Sequence, residues 1–80
     1  MTALEEDVAV REIKFRAATQ IAEIHDETVR TIGGLVRSGA ASLAEFQAAK
    51  IKQLRAECRA KIAHVRYEAA KARLACGTGS

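Results

Sequence analysis

Thr31-Ile32-Gly33-Gly34-Leu35-Val36-Arg37-Ser38-Gly39-Ala40-Ala41-Ser42-Leu43-Ala44-Glu45 decides the fold of this chain. The stretch holds every glycine before residue 77, and the chain has no proline to stop a helix elsewhere. It ends in Ser42-Leu43-Ala44-Glu45, a capping box. The serine hydroxyl accepts from the backbone N–H three residues on, and the glutamate reaches back to the serine N–H. The same signature, Thr2-Ala3-Leu4-Glu5, opens the chain. Two helix starts with one glycine-bearing interval between them predict helix, turn, helix.

Gly33-Gly34 can end the first helix, because glycine takes the left-handed conformation of a C-terminal cap, and Ser38-Gly39 offers a second stop. The expected helix continues to about residue 37, with a kink or weak point at the glycine pair. Leu35, Val36 and Arg37 carry the helical pattern past Gly33-Gly34. Two glycines inside a helix cost about 2 kcal/mol relative to alanine, which burial of Leu35 and Val36 offsets. The expected domain is therefore one hairpin: helix 1 over about 3–37, a turn over about 38–41, helix 2 over about 43–76, and 77–80 as a disordered tail. One unbroken helix in a long parallel coiled coil is the alternative. The second capping box argues against it, and so does the change of apolar pattern across the turn.

In the first run Val10, Ile13, Ala17, Ile21, Ile24, Thr28, Ile32 and Leu35 recur at steps of three, four and four, an eleven-residue rhythm. Leu4, Val8, Phe15, Ala18, Ala22, Val29 and Val36 form a second stripe beside them. So wide an apolar arc touches neighbours on two sides. In the second run Leu43, Ile51, Leu54, Cys58, Ile62, Val65, Ala69, Ala72 and Cys76 form one narrow seam. Glu12 with Arg16 and Asp26 with Arg30 stand at i,i+4 in the favourable order.

Apolar residues are 49% of the chain, but 17 of them are alanine, so little bulk is available for a core. A chain of 80 residues is marginal alone, and two helices cannot enclose each other. The expected fold class is all-α: an antiparallel helical hairpin of two long helices, dimerising into an elongated four-helix bundle. Val10, Ile13, Ala17, Ile21, Ile24 and Ile32 are the expected dimer interface.

Charge is asymmetric. Residues 2–37 carry five Lys or Arg and seven Asp or Glu, net −2; residues 42–76 carry eight and three, net +5. Lys52, Arg55, Arg59, Arg66 and Arg73 fall on one side of helix 2, an arginine line suited to carboxylate or phosphate. Arg55, Arg59, Arg66, Tyr67 and Arg73 are the candidate partner-binding residues, with Tyr67 as an aromatic anchor at the seam's edge. Arg11 and Lys14 fall inside the apolar arc of helix 1, where their stems lie along apolar surface or mark a partner's carboxylate. His25 reads as a half-buried histidine and His64 as exposed.

No catalytic, metal or phosphate motif stands in the chain, and two straight helices offer no pocket shielded from water. An enzyme is not expected, nor a cofactor or metal. Cys58 and Cys76 lie roughly 27 Å apart along one helix and read as reduced thiols. No apolar run reaches the length of a membrane span, and the acidic start is unlike a signal peptide, so a cytoplasmic protein is expected. The expected partners are a second copy of the chain and an unidentified larger protein whose surface it binds and masks. Size and economy suggest an inhibitor or anti-activator of the kind carried on phages and mobile elements. A nucleic-acid-binding hairpin dimer using the arginine face is the first alternative, and a structural subunit of a larger assembly the second. The architecture resembles small RNA-binding helical hairpin dimers, a likeness too generic to carry residues.

Overall fold

The computed structural model describes residues 2–78. Two helices make up the fold: α1 spans Ala3–Arg37 and α2 spans Leu43–Thr78. Thr2 caps α1 through both halves of the capping box: its hydroxyl accepts from Glu5 N at 3.2 Å, and its own N–H donates to Glu5 Oε1 at 3.2 Å. α1 runs through Gly33-Gly34 without a break. It stops in a Schellman motif, with Gly39 at φ +81°, Gly39 N–H on Val36 O (3.1 Å) and Ala40 N–H on Leu35 O (2.8 Å). Ser42 Oγ then accepts from Glu45 N at 3.1 Å and starts α2. α2 continues through Gly77 to Thr78, beyond the expected end at residue 76. A Cβ at Gly77 would stand 2.8 Å from Leu4 Cδ1, so the far end of α2 lies against the start of α1. The tail expected at Gly79 and Ser80 lies outside the described residues.

The glycine pair has different surroundings at its two members. A methyl at Gly33 would meet Phe46 Cε2 at 3.5 Å, an ordinary contact, and one at Gly34 would meet nothing within 4 Å. Neither needs a positive φ. Gly34→Ala is therefore expected to stabilise the hairpin by about 1 kcal/mol, a rise in Tm of roughly 4–8 °C at fixed protein concentration. Gly39→Ala moves Tm the other way, because a Cβ at positive φ costs about 1–2 kcal/mol. Thermal melts followed by circular dichroism read both.

The helices meet on rows rich in alanine and aromatic residues with a few valines, and most of the Leu and Ile side chains lie outside. On α2 the inward row is Phe46, Ala49, Gln53, Ala56, Ala60, Ala63, Tyr67, Ala70 and Leu74, each buried or half-buried. Ala56 is 3% exposed and Ala70 1%. Facing it on α1 are Val8, Arg11, Phe15, Ala18, Ala22, His25, Val29 and Val36. Steps on the α2 row alternate three and four from end to end, the seven-residue period two helices need to keep one seam while coiling about each other.

This corrects the sequence-based seam of α2. Leu43, Ile51, Leu54, Cys58, Ile62, Val65, Ala69, Ala72 and Cys76 are all exposed. From Leu43 through Gln47 to Val65 that row steps by four, four and three, the eleven-residue rhythm also carried by Val10 to Leu35 on α1. An eleven-residue row drifts out of a left-handed seam within a few turns. Each helix thus carries two rows with different pitch, and the hairpin closes on the seven-residue pair. Alanine there also lets the backbones approach closely.

One polar group interrupts the alanine row. Gln53, 9% exposed, donates from Nε2 to Asp26 Oδ1 at 2.7 Å, while its Oε1 has no hydrogen-bond partner. Asp26 is thus engaged across the hairpin, and the expected pairing with Arg30 is replaced. A polar residue in an otherwise apolar seam fixes which turn of one helix meets which turn of the other.

The result is a rod of 62 × 16 × 13 Å. Its radius of gyration is 17.9 Å, where a compact domain of this length has about 11.6 Å. Its accessible surface is 5764 Å², against about 4,700 Å² for a compact protein of the same mass. Among the described residues no helix is long and apolar enough to cross a membrane.

Candidate interaction surface

The seam divides the rod into two unlike flanks and a back. On one flank the aliphatic row of α1 runs beside the cation row of α2. Ile24, His25, Thr28 and Ile32 border a groove completed by Ala48, Ala49 and Lys52, with the Glu45 carboxylate also on its lining. Further along, Arg11, Lys14 and Ala18 of α1 meet Arg59, Ile62, Ala63 and Arg66 of α2 around a second groove of about 330 Å³. Its floor is alanine and isoleucine, and its rim carries four cations. Arg11 is drawn towards Asp7 at 3.4 Å. Lys14, Lys52, Arg55, Arg59 and Arg66 form no ion pair among the described residues.

On this flank Val10, Ile13, Ile21 and Ile24 are exposed, Ile13 at 68%. Ala17 is exposed and Ile32 half-buried. A run of aliphatics open to water along one helix makes this flank the candidate contact surface.

The opposite flank is polar and self-paired. Arg16 Nη2 reaches Glu12 Oε1 at 2.6 Å, Lys71 Nζ reaches Glu68 at 2.9 Å, and His64 Nε2 lies 3.4 Å from the same carboxylate. The Lys71 hydrogen bond holds the Glu68 carboxyl below its ordinary value and Lys71 above its own. Phe15 fills the seam here, its ring 4.9 Å from His64 and stacked on Tyr67 at 5.9 Å, with Lys71 Nζ 4.5 Å from the Tyr67 ring centre.

Two of the five candidate partner-binding residues make contacts within the hairpin. Tyr67 is half-buried against Phe15 and serves the hairpin, not its edge. Arg73 Nη2 donates to Asp7 Oδ2 at 3.0 Å and clasps the end of α2 to the start of α1. Sequence spacing could not show either, because both contacts cross between helices. Arg59 and Arg66 are brought together with Arg11 and Lys14, and Arg55 continues their row. The position of Arg11 and Lys14 inside an apolar arc was the one sequence signal for this meeting.

The clasp gives a pH prediction. Asp7 lies below its ordinary 3.8, chiefly through the Arg73 hydrogen bond and further through Arg11. The folded chain therefore takes up this proton at lower pH than the unfolded chain. The clasp's contribution is complete above pH 3.8 and fades as pH falls through the lowered value. Arg73→Met is expected to move the Asp7 titration up towards 3.8, followed by carboxyl-carbon NMR.

Among the described residues no group of three His, Cys, Asp or Glu is placed to hold a metal ion. Comparison with protein families, curated proteins and solved structures finds no match for this chain.

Proposed function

We propose that this chain is a small non-enzymatic cytoplasmic interaction protein, of the inhibitor or anti-activator kind, that binds and masks a surface of a larger protein. One observation carries the reading: one flank of the rod holds exposed aliphatics of α1 and cations of α2 that have no ion-pair partner, Ile24 beside Lys52 and, further along, Arg59 and Arg66 beside Arg11 and Lys14. Such a flank fits an apolar surface edged with carboxylates. Burying the aliphatics supplies affinity, and the cations supply orientation and speed of encounter.

A four-helix bundle closed through Val10, Ile13, Ala17, Ile21, Ile24 and Ile32 is a competing use of the same stripe. A two-fold pairing of this flank lays each cation row either on its mate or on the aliphatics of the other copy. Like charges facing each other disfavour the first, and desolvated cations on isoleucine disfavour the second. The flank complements an acidic partner better than it complements itself.

The test is capture from nuclease-treated host lysate, wild type beside Ile21→Glu/Ile24→Glu. One stoichiometric protein that survives moderate salt and is lost with the variant supports the reading. The unpaired Arg55, Arg59 and Arg66 also suit phosphate, which favours nucleic acid as the second reading. There, affinity falls steeply with salt, and Arg59→Ala/Arg66→Ala reduces that slope by roughly two. The stacking of Tyr67 inside the seam leaves that face without an aromatic platform for bases.

A further inference from the structure

Glu45, Lys52, Arg59, Arg66 and Arg73 follow one another at steps of seven along α2, each one residue ahead of a seam residue, from Phe46 to Leu74. A step of seven keeps pace with the seam, so the row stays on one lip of the hairpin from end to end. Asp7, Lys14, Ile21, Thr28 and Leu35 keep the same step along the facing lip of α1. One rung between the two rows is closed, with Arg73 Nη2 on Asp7 Oδ2 at 3.0 Å. The next rungs, counted from it, set Arg66 against Lys14, Arg59 against Ile21 and Lys52 against Thr28. Lys14 and Arg66 line one groove of this flank, and Thr28 and Lys52 the other. α1 thus answers one cation of the row and leaves three with no ion pair among the described residues. We infer that Lys52, Arg59 and Arg66 are the selectivity row for a third α-helix, supplied by the partner protein, that carries carboxylates seven residues apart beside an apolar stripe.

The inference rests on the reading that this flank receives an acidic protein surface, and it fixes the form of that surface. The flank runs parallel to both helix axes, where the third strand of a helical bundle lies. Ile21 and Ile24, 50% and 61% exposed, supply its apolar side, and the cation row supplies the other. Positions that border a helical seam choose a partner by charge. Lys52 to Arg66 spans about 21 Å of helix axis, the span of three carboxylates seven residues apart on a helix laid alongside. Glu45 is the one carboxylate lining either groove, and Asp7 is already shared by Arg11 and Arg73. A second copy of the chain does not provide such a helix. Its nearest row is Glu5, Glu12, Thr19 and Asp26, in which Arg16 holds Glu12 and Gln53 holds Asp26.

Two synthetic helical peptides of about 24 residues, titrated against the full chain, test it. One carries a leucine stripe with three glutamates seven residues apart at its edge. The other has the same composition, with the glutamates moved to the side opposite the leucines. The first is expected to bind roughly tenfold more tightly, from three pairs at the rim, with helical content rising on mixing. Arg59→Glu/Arg66→Glu is expected to remove that preference, and lysines in place of the peptide's three glutamates to restore binding to this variant. Lys50→Glu/Lys61→Glu makes the same change in net charge outside both grooves and is expected to leave the preference intact. All four substituted residues are exposed, so both variants keep the helicity of the wild type. Equal binding of the two glutamate peptides overturns the inference, as does a preference that survives Arg59→Glu/Arg66→Glu. A proline-interrupted peptide that binds as tightly as the unbroken one overturns the third helix while the acidic surface stands. Failure of every peptide overturns this inference alone, because the wider reading falls only when lysate capture also returns no protein.

Discussion

Ala56→Glu is expected to unfold the hairpin at room temperature. Ala56 is 3% exposed in the middle of the inward row of α2, where only a methyl group fits between the backbones. A carboxylate there loses its water and gains no cation. An uncompensated buried charge costs about 3–5 kcal/mol. Stability of about 0.05–0.15 kcal/mol per residue sets a ceiling that a thin two-helix rod does not approach. Glutamate is itself a good helix former, so lost propensity is not the cause. Ala48→Glu, on an exposed position of the same helix, is the matched control and should change stability by less than about 0.5 kcal/mol. Far-ultraviolet circular dichroism reads both. Full helicity in Ala56→Glu, with a melt close to wild type, would mean that the alanine row is not the seam.

Phe15→Ala should be the second most damaging change, at about 2–3 kcal/mol. Fully buried phenylalanines cost about 3–5 kcal/mol on truncation, and Phe15 is half-buried. It is the one large side chain of α1 that reaches across to both His64 and Tyr67. Alanine leaves a gap among residues already small, and two helices held by short side chains have nothing nearby to move into it. Phe15→Leu should recover most of the loss. Urea unfolding gives the magnitude. Tyr67 is the only tyrosine in a chain without tryptophan, so its near-ultraviolet signal reports the stack directly. A loss below about 0.5 kcal/mol would show that the aromatic contact adds nothing to the hairpin.

The candidate flank was legible in pieces. Exposed aliphatics on α1 and an arginine line on α2 can both be read from spacing alone. Their lying side by side depends on how each helix is rotated about its axis, which local sequence does not encode. The same rotation moved Tyr67 from an outer edge to the inside and gave Arg73 to Asp7. Gln53 has no periodic signature in the sequence, because its partner Asp26 lies on the other helix.

Caps and candidate stops belong to the sequence by itself: Thr2 and Ser42 with their glutamates three residues on, and the glycines at 33, 34 and 39, of which the structure takes Gly39 as the left-handed stop. These are interactions within a turn or two of chain, so neighbours in sequence suffice to set them. The choice of inward face belongs to the tertiary structure. Leu, Ile and Val are the greasier row on both helices, and burial of area alone would turn them inward. Their eleven-residue pitch cannot stay in register along a left-handed seam, whereas the row of alanine, glutamine and aromatics keeps a seven-residue pitch. Two eleven-residue rows keep register with each other only in a straight or right-handed pairing; the hairpin takes the seven-residue seam, and most of the Leu and Ile side chains are left outside.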